Sequence, residues 1–149
     1  MRLTVFSDYA LRILVHAGTH PNRLVTVTEI ADSYRISRHH LIKVVQLLVQ
    51  NGFVETVRGR SGGLRLARAP EEINVGALVR CTEPDFDLVE CFDPRTNSCL
   101  IAPACDLKAV LHEARDEFMR VLDTYTLADL LVRRRKLAHM FAKGRPATG

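Results

Sequence analysis

Apolar residues recur at spacings of three and four along most of this chain, and alternate with polar ones in a single short stretch. Ala10, Leu11, Ile13, Leu14, Val15 and Ala17 form a helical run, with Ser7 placed to cap it, Asp8 in its first turn and Gly18 near its end. Pro21 and Asn22 predict a turn. Thr26, followed three residues later by Glu29, is a capping-box pattern that opens a short helix through Ala31 and Tyr34. After a break at Arg35 and Ile36, Ser37 can cap a longer helix whose apolar face is Leu41, Val44, Val45, Leu48 and Val49. Arg38, His39, Lys43 and Gln46 are left to face outward, and Gly52 stops the helix.

Phe53, Val54 and Val57 then read as a strand, RGRSGG supplies turn chemistry, and Leu64 and Leu66 alternate with Arg65 in a second strand. The result is a β-hairpin with a basic tip. Asn74 can cap a helix carrying Val75, Leu78 and Val79, after which residues 84–104, with Pro94 and Pro103, read as an irregular loop. From Cys105 onward Leu107, Leu111, Ala114, Phe118, Val121 and Tyr125 alternate at spacings of four and three, the seam of a coiled coil that wants a partner helix. Thr126 and Asp129 form another capping box before Leu127, Leu130 and Leu131; the basic stretch after them is expected to fray.

A short helix, a tight turn, a longer amphipathic helix and a hairpin with arginine at its tip follow the order of a winged helix-turn-helix. The predicted fold is therefore mainly α with a small β-hairpin, ending in a long C-terminal dimerisation helix. Its expected parts are a DNA-binding region over 1–80, a cysteine loop over 81–105, the dimerisation helix with a short cap helix over 106–131, and a flexible basic tail over 132–149. In such a fold the second helix of the pair enters the major groove with its N-terminal residues nearest the base edges. Ser37, Arg38, His39, His40 and Lys43 occupy those positions, Thr28 sits at the start of the first helix of the pair, and Arg58, Arg60 and Ser61 at the wing can reach phosphates or a minor groove. Adjacent helical residues point about 100° apart, so His39 and His40 cannot form an i, i+4 metal clamp; one is expected to face DNA or water and the other to pack in part.

Charge supports this division. Residues 1–80 carry 11 Lys/Arg against 6 Asp/Glu, residues 81–132 carry 4 against 11, and residues 133–149 carry 6 against none. A basic module joined to an acidic one suits a double-stranded DNA binder. Hydrophobic residues make up 47% and charged residues 26%, an ordinary globular composition. No apolar run approaches the roughly 20 residues a bilayer span needs, and the first residues lack a secretory layout, so a cytoplasmic protein without a membrane partner is expected. The chain has no C-x-x-C beside a βαβ pattern and no nucleophile, base and orienter in evident relation, which argues against an enzyme.

The four cysteines are spaced Cys81-x9-Cys91-x7-Cys99-x5-Cys105, without the short knuckles of structural zinc sites. In a reducing compartment they are metal ligands or redox thiols before they are disulfides. Cys91, Cys99 and Cys105 lie close enough on one loop to converge on an iron-sulfur cluster, with Cys105 at the positive end of a helix, whereas Cys81 falls among apolar neighbours and reads as a buried thiol. Three thiolates leave a four-site cluster one ligand short. Asp8, His112 and the acidic residues of the loop are all candidates for an oxygen or nitrogen ligand, which soft iron would hold weakly and a small molecule could displace.

The segments MRLTVFSDYALRIL, ETVRGRSGGLRLA, EEINVGALVRCTEPDFDLVECFDPRTNSC and VLDTYTLADLL together resemble the NsrR, IscR and RirA family of winged-helix iron-sulfur regulators, over Met1 to about Leu131. Within it, the combination of ECFDP, C-x7-C-x5-C and YTLADL is most similar to the branch of nitric-oxide-sensing repressors. The resemblance implies a homodimer on a (pseudo)palindromic operator, a cluster on Cys91, Cys99 and Cys105, most often 4Fe-4S with 2Fe-2S as the other form, and release of DNA when nitric oxide attacks it. It also implies a fourth ligand from the other subunit at Asp8. The iron-status branch instead has a histidine three positions after the last cysteine, where this chain has Lys108. An iron-availability regulator with similar cysteine spacing is the alternative within the family.

Overall fold

The computed structural model describes residues 2–144. The chain runs α1 (Val5–Thr19), α2 (Val27–Tyr34), α3 (Arg38–Gln50), β1 (Val54–Val57), β2 (Gly63–Leu66), α4 (Val75–Thr82), α5 (Asp106–Asp123), α6 (Leu127–Leu130) and α7 (Arg134–Gly144), with short 3-10 turns at 70–72, 90–92 and 102–104. A mainly helical winged helix is what the periodicity predicts.

The core forms where the apolar stripes of α1, α2 and α3 meet. Ile13, Leu14, Ile30, Leu41, Val44 and Leu48 are fully buried there, joined by Val25 and, from the wing, Leu64. β1 and β2 pair antiparallel with Val54 opposite Leu66 and Thr56 opposite Leu64. Val25, just before α2, exchanges both backbone hydrogen bonds with Leu64 (3.0 and 2.8 Å), so the root of the wing is tied to the helix-turn-helix. Gly59 at the tip has φ +118°, a conformation L side chains rarely adopt, and it lets the chain reverse between Arg58 and Arg60.

α4 bridges the two halves of the molecule. Its Asn74 accepts the Ala77 N–H at 2.9 Å, as expected of a cap. Backbone bonds from Val75 to Tyr125 (3.0 Å) and from Leu127 to Ile73 (2.8 Å) stitch its start to the α5–α6 junction. Gly76 lets the helices close: a Cβ there would lie 1.9 Å from Asp123 Oδ1, the carboxylate that Arg80 grips with both guanidinium nitrogens at 2.6 Å.

Several local expectations are corrected. Helix α1 begins earlier, with Thr4 as its cap; Ser7 is instead fully buried, its hydroxyl 2.7 Å from that of Thr82 and bonded to Glu83. Thr26 does accept the Glu29 N–H (3.0 Å), but the Glu29 carboxylate turns to Arg23 and His16 rather than back to the cap. Val49 lies at the rim of the α3 face and is 38% exposed. His39 and His40 are both exposed, because Leu41 and Val44 already fill the space beneath that end of α3. Residues 134–144 are helical rather than frayed: Phe141 of α7 lies against His16 and Tyr34, giving the basic segment an apolar anchor that its composition did not advertise. The rest of the expected flexible tail, 145–149, lies outside the described residues.

Candidate functional site

The proposed DNA-contacting residues share one property, exposure to solvent. Thr28, Ser37, Arg38, His39, His40 and Lys43 are exposed along the helix-turn-helix, and Arg58, Arg60 and Ser61 at the wing tip. Ser37 caps α3 by its backbone conformation while its hydroxyl makes no capping bond, leaving it available to a ligand. Among the described residues, Arg38, Lys43, Arg58 and Arg60 enter no ion pair, whereas Arg12, Arg23, Arg65 and Arg80 elsewhere in the first half, and Arg95, Arg115 and Arg120 in the acidic half, are each matched to a carboxylate. Cations that the fold leaves unneutralised are free to replace the counterions of a phosphate backbone. Ile42, 40% exposed on α3 between His39 and Lys43, was missed by the sequence reading because an isolated apolar residue on a polar face carries no periodic signal. It can meet a thymine methyl group.

The cysteine loop is built on α5. Cys91 sits in the 3-10 turn Glu90–Phe92, Cys99 in the following turn, and Cys105 caps α5 with no side-chain bond of its own. Glu90 accepts bonds from the Ser98 N–H (3.2 Å) and hydroxyl (3.0 Å), and Asn97 Oδ1 accepts the Cys99 N–H (3.0 Å), so Cys91 and Cys99 are held by one local network. All four cysteines are free and half-buried. Burial pushes the Cys81 thiol up, and its packing against the main core makes it the inert member of the four.

Two links tie this loop to its surroundings. Phe92 is buried and stacks on His112 of α5 with ring centroids 3.8 Å apart and planes 2° from parallel, while the Arg115 guanidinium lies 5.3 Å from the Phe92 centroid. His112, one of the ligand candidates, packs face to face on Phe92. Asp8 stays on α1, its carboxylate bonded to Arg12 at 2.9 Å, with the Arg12 guanidinium beside the Tyr34 ring. Within one chain Asp8 and the three cysteines do not form a single-ion group: among the described residues the set able to surround one ion within 4.8 Å is His16, His20 and Glu29 instead. The thiolates of an iron-sulfur cluster bind different irons, so they need no such close approach. Three free thiols on one braced loop are a donor set that fits such a cluster.

The outer face of α5 is bare. Leu107 is 62% exposed and Val110 57%, Ala114, Val121 and Tyr125 are also exposed, and only Met119 is buried in this 18-residue helix. Leu111 and Phe118, which belong to the same predicted seam, are half-buried. Leu100 and Ile101 of the cysteine loop extend this apolar exposure. No helix among the described residues is long and apolar enough to cross a membrane, so these groups are not part of a helical span.

A winged helix with an unneutralised basic face and a braced cysteine loop defines a class of DNA-binding transcription regulator. The chain belongs to the Rrf2 family, described as iron-dependent transcriptional regulators, which it matches over residues 3–133. It is 52% identical over 132 residues to the HTH-type transcriptional regulator NsrR of Bacillus subtilis, covering 88% of this chain and 90% of that protein. The NsrR of Geobacillus kaustophilus is 47% identical over 146 residues, 97% of this chain and 99% of the relative. Among solved structures, the IscR of T. potens aligns with a TM-score of 0.71 at 26% identity, covering 100% of this chain and 94% of that one. The cysteine regulator CymR of B. subtilis aligns with a TM-score of 0.68 at 25% identity, over 87% and 95% of the two chains. The protein is thus a winged-helix transcriptional regulator.

Proposed function

We propose that this regulator acts in the cytoplasm as a homodimer on a (pseudo)palindromic operator and that a cluster on Cys91, Cys99 and Cys105 makes its grip on DNA sensitive to nitric oxide. The observation that carries the reading is the loop itself: three free, half-buried thiols whose bracing runs through Phe92 and His112 directly into α5. A 4Fe-4S cluster suits three thiolates and one weaker oxygen ligand, and Asp8 of a second copy is the proposed oxygen donor. When bound, the cluster supplies the reaction with nitric oxide by which its protein ligation is lost. The chain's own residues do the rest. Phe92 and His112 connect the cysteine turns to α5, the bare face of α5 meets its equivalent, and the two α3 helices take the spacing that face dictates. Half-sites one helical turn apart require recognition helices roughly 34–36 Å from one another, so a small shift of α5 misplaces one of them. A tenfold to hundredfold loss of operator affinity needs a coupling of only about 1.4–2.8 kcal/mol.

Nitric oxide is favoured as the signal by the ECFDP and YTLADL segments and by half-identity to proteins named NsrR. The family's description as iron-dependent favours iron supply as the second reading. Anaerobic purification, followed by parallel titration with nitric oxide and with an iron chelator while operator binding is measured, separates them. The proposed function expects a coloured protein that releases DNA at a few equivalents of nitric oxide. Release by chelator with indifference to nitric oxide establishes the iron reading, and a colourless protein that ignores both overturns the cluster. Cys99→Ser should abolish the visible spectrum, and Asp8→Ala should leave a more labile one.

A further inference from the structure

Away from the cysteines, α1 and α2 bring together a group that the regulator's proposed chemistry does not use. One ring nitrogen of His16, one of His20 and a carboxylate oxygen of Glu29 lie within 4.8 Å of one another. His16 lies on the last turn of α1 and His20, four residues on, is the residue that caps it, a spacing by which a helix can present two imidazoles to one ion, and Glu29 comes from the first helix of the DNA-binding pair. We propose that these three side chains form a second metal site, for a divalent first-row ion of the zinc type, that fastens α2 to α1.

Four observations support a site rather than a chance cluster. His16 Nε2 and Glu29 Oε1 stand 3.5 Å apart, long for a hydrogen bond but close to the roughly 3.4 Å that separates two ligands held at about 2.1 Å on a tetrahedral ion. The Nδ1 of His20 is 3.0 Å from the His16 carbonyl oxygen; donation of its N–H there leaves Nε2 with a free lone pair, the second bond by which ligating histidines are commonly oriented. His16 is completely buried, so a ligand nitrogen there is shielded from competing water. Finally, Phe141 packs against His16 with centroids 4.4 Å apart and planes tilted by 31°, and Tyr34 meets the same ring edge-on, giving the site an apolar roof.

Two imidazoles and one carboxylate favour zinc over magnesium or calcium, whose sites are built from oxygen. An open cavity of about 290 Å³, lined by Thr19, His20, Arg23 and Arg134 among others, reaches His20 and leaves room for a fourth, solvent ligand. Arg23 is the competitor. It holds the Glu29 carboxylate at 2.5 and 2.9 Å, and being half-exposed it can withdraw one nitrogen and keep one oxygen when an ion enters.

The test is a cobalt(II) titration of the full-length protein, followed by zinc competition. Cobalt on nitrogen and oxygen ligands gives weak visible bands without the intense near-ultraviolet thiolate band that binding to the cysteine loop would add. One equivalent of thiolate-free cobalt, displaced by zinc, is expected. It should persist in a Cys91→Ser, Cys99→Ser, Cys105→Ser protein, weaken at least a hundredfold in His20→Ala, and tighten about tenfold in Arg23→Ala, where a competing cation is gone. His20 is half-buried at the end of α1, so its replacement leaves the fold testable by an unchanged thermal unfolding of the metal-free protein. Only thiolate-bound cobalt, or equal affinity in the wild type and His20→Ala, overturns the proposal. Failure of the cluster reading would leave this test untouched.

Discussion

The winged-helix half and the cysteine-loop half of this chain differ in how much of their own structure one chain can complete. In the first, α1, α2, α3 and the wing bury one another's apolar faces, and what remains outside is a set of cations without carboxylate partners. In the second, Arg95, Arg115 and Arg120 are paired with carboxylates, and the surface left open includes much apolar area: α5 carries a single buried residue, with Leu107, Val110, Val121 and Tyr125 in the open. A helix of that length draws its stability from packing, which its own domain supplies along one narrow edge only. The first half thus leaves positive charge on its surface, and the second leaves apolar surface.

The comparison predicts different responses to mutation. Leu41→Ala, in the fully buried face of α3, should cost about 2–5 kcal/mol, measured by urea denaturation at any protein concentration. An effect below about 1 kcal/mol would mean that the first half is not self-sufficient. Val121→Asp, on the bare face of α5, should leave the unfolding of the single chain within about 0.5 kcal/mol of wild type. It should nevertheless shift sedimentation to monomer and weaken operator binding more than tenfold. A dimer that survives the substitution would place the interface elsewhere. Phe92→Ala removes the ring joining the two cysteine turns to α5, and a loss of about 1 kcal/mol is expected beyond the area term from stacking. Its signature is weaker coupling, read as a smaller change in DNA affinity between the cluster-bearing and cluster-free protein. The smallest change is Arg60→Ala: binding should weaken about equally on all sequences and the salt slope should fall by about one, whereas an unchanged slope would remove the wing tip from phosphate contact.

Much of this was legible along the chain. Strict three-and-four spacing found α1, α3 and α5, because a helix that buries one face must repeat its apolar residues on that period. Asn74 and the Thr126–Asp129 pair announced their helices, and Thr126 donates both its N–H and its hydroxyl to the Asp129 carboxylate, at 2.7 and 2.9 Å. Ser7 misled because a hydroxyl before an apolar run reads as a cap, while its real partners, Thr82 and Glu83, lie more than seventy residues away. The helix over 134–144 was hidden for a related reason. Its anchor, Phe141, finds its aromatic neighbours on α1 and α2, and nothing in a run of arginines and lysines points to them.

The order of residues alone gave away the winged helix, the position of its basic face, the loop that carries Cys91, Cys99 and Cys105, and the apolar seam along α5, since each depends on local periodicity or on spacing within a short segment. The link from loop to α5 through Phe92 and His112 required the fold, and so did the meeting of His16, His20 and Glu29. Phe92 and His112 lie twenty residues apart and Glu29 thirteen from His16, separations that carry no period, and such neighbours are chosen by how whole helices pack rather than by any preference of the residues themselves.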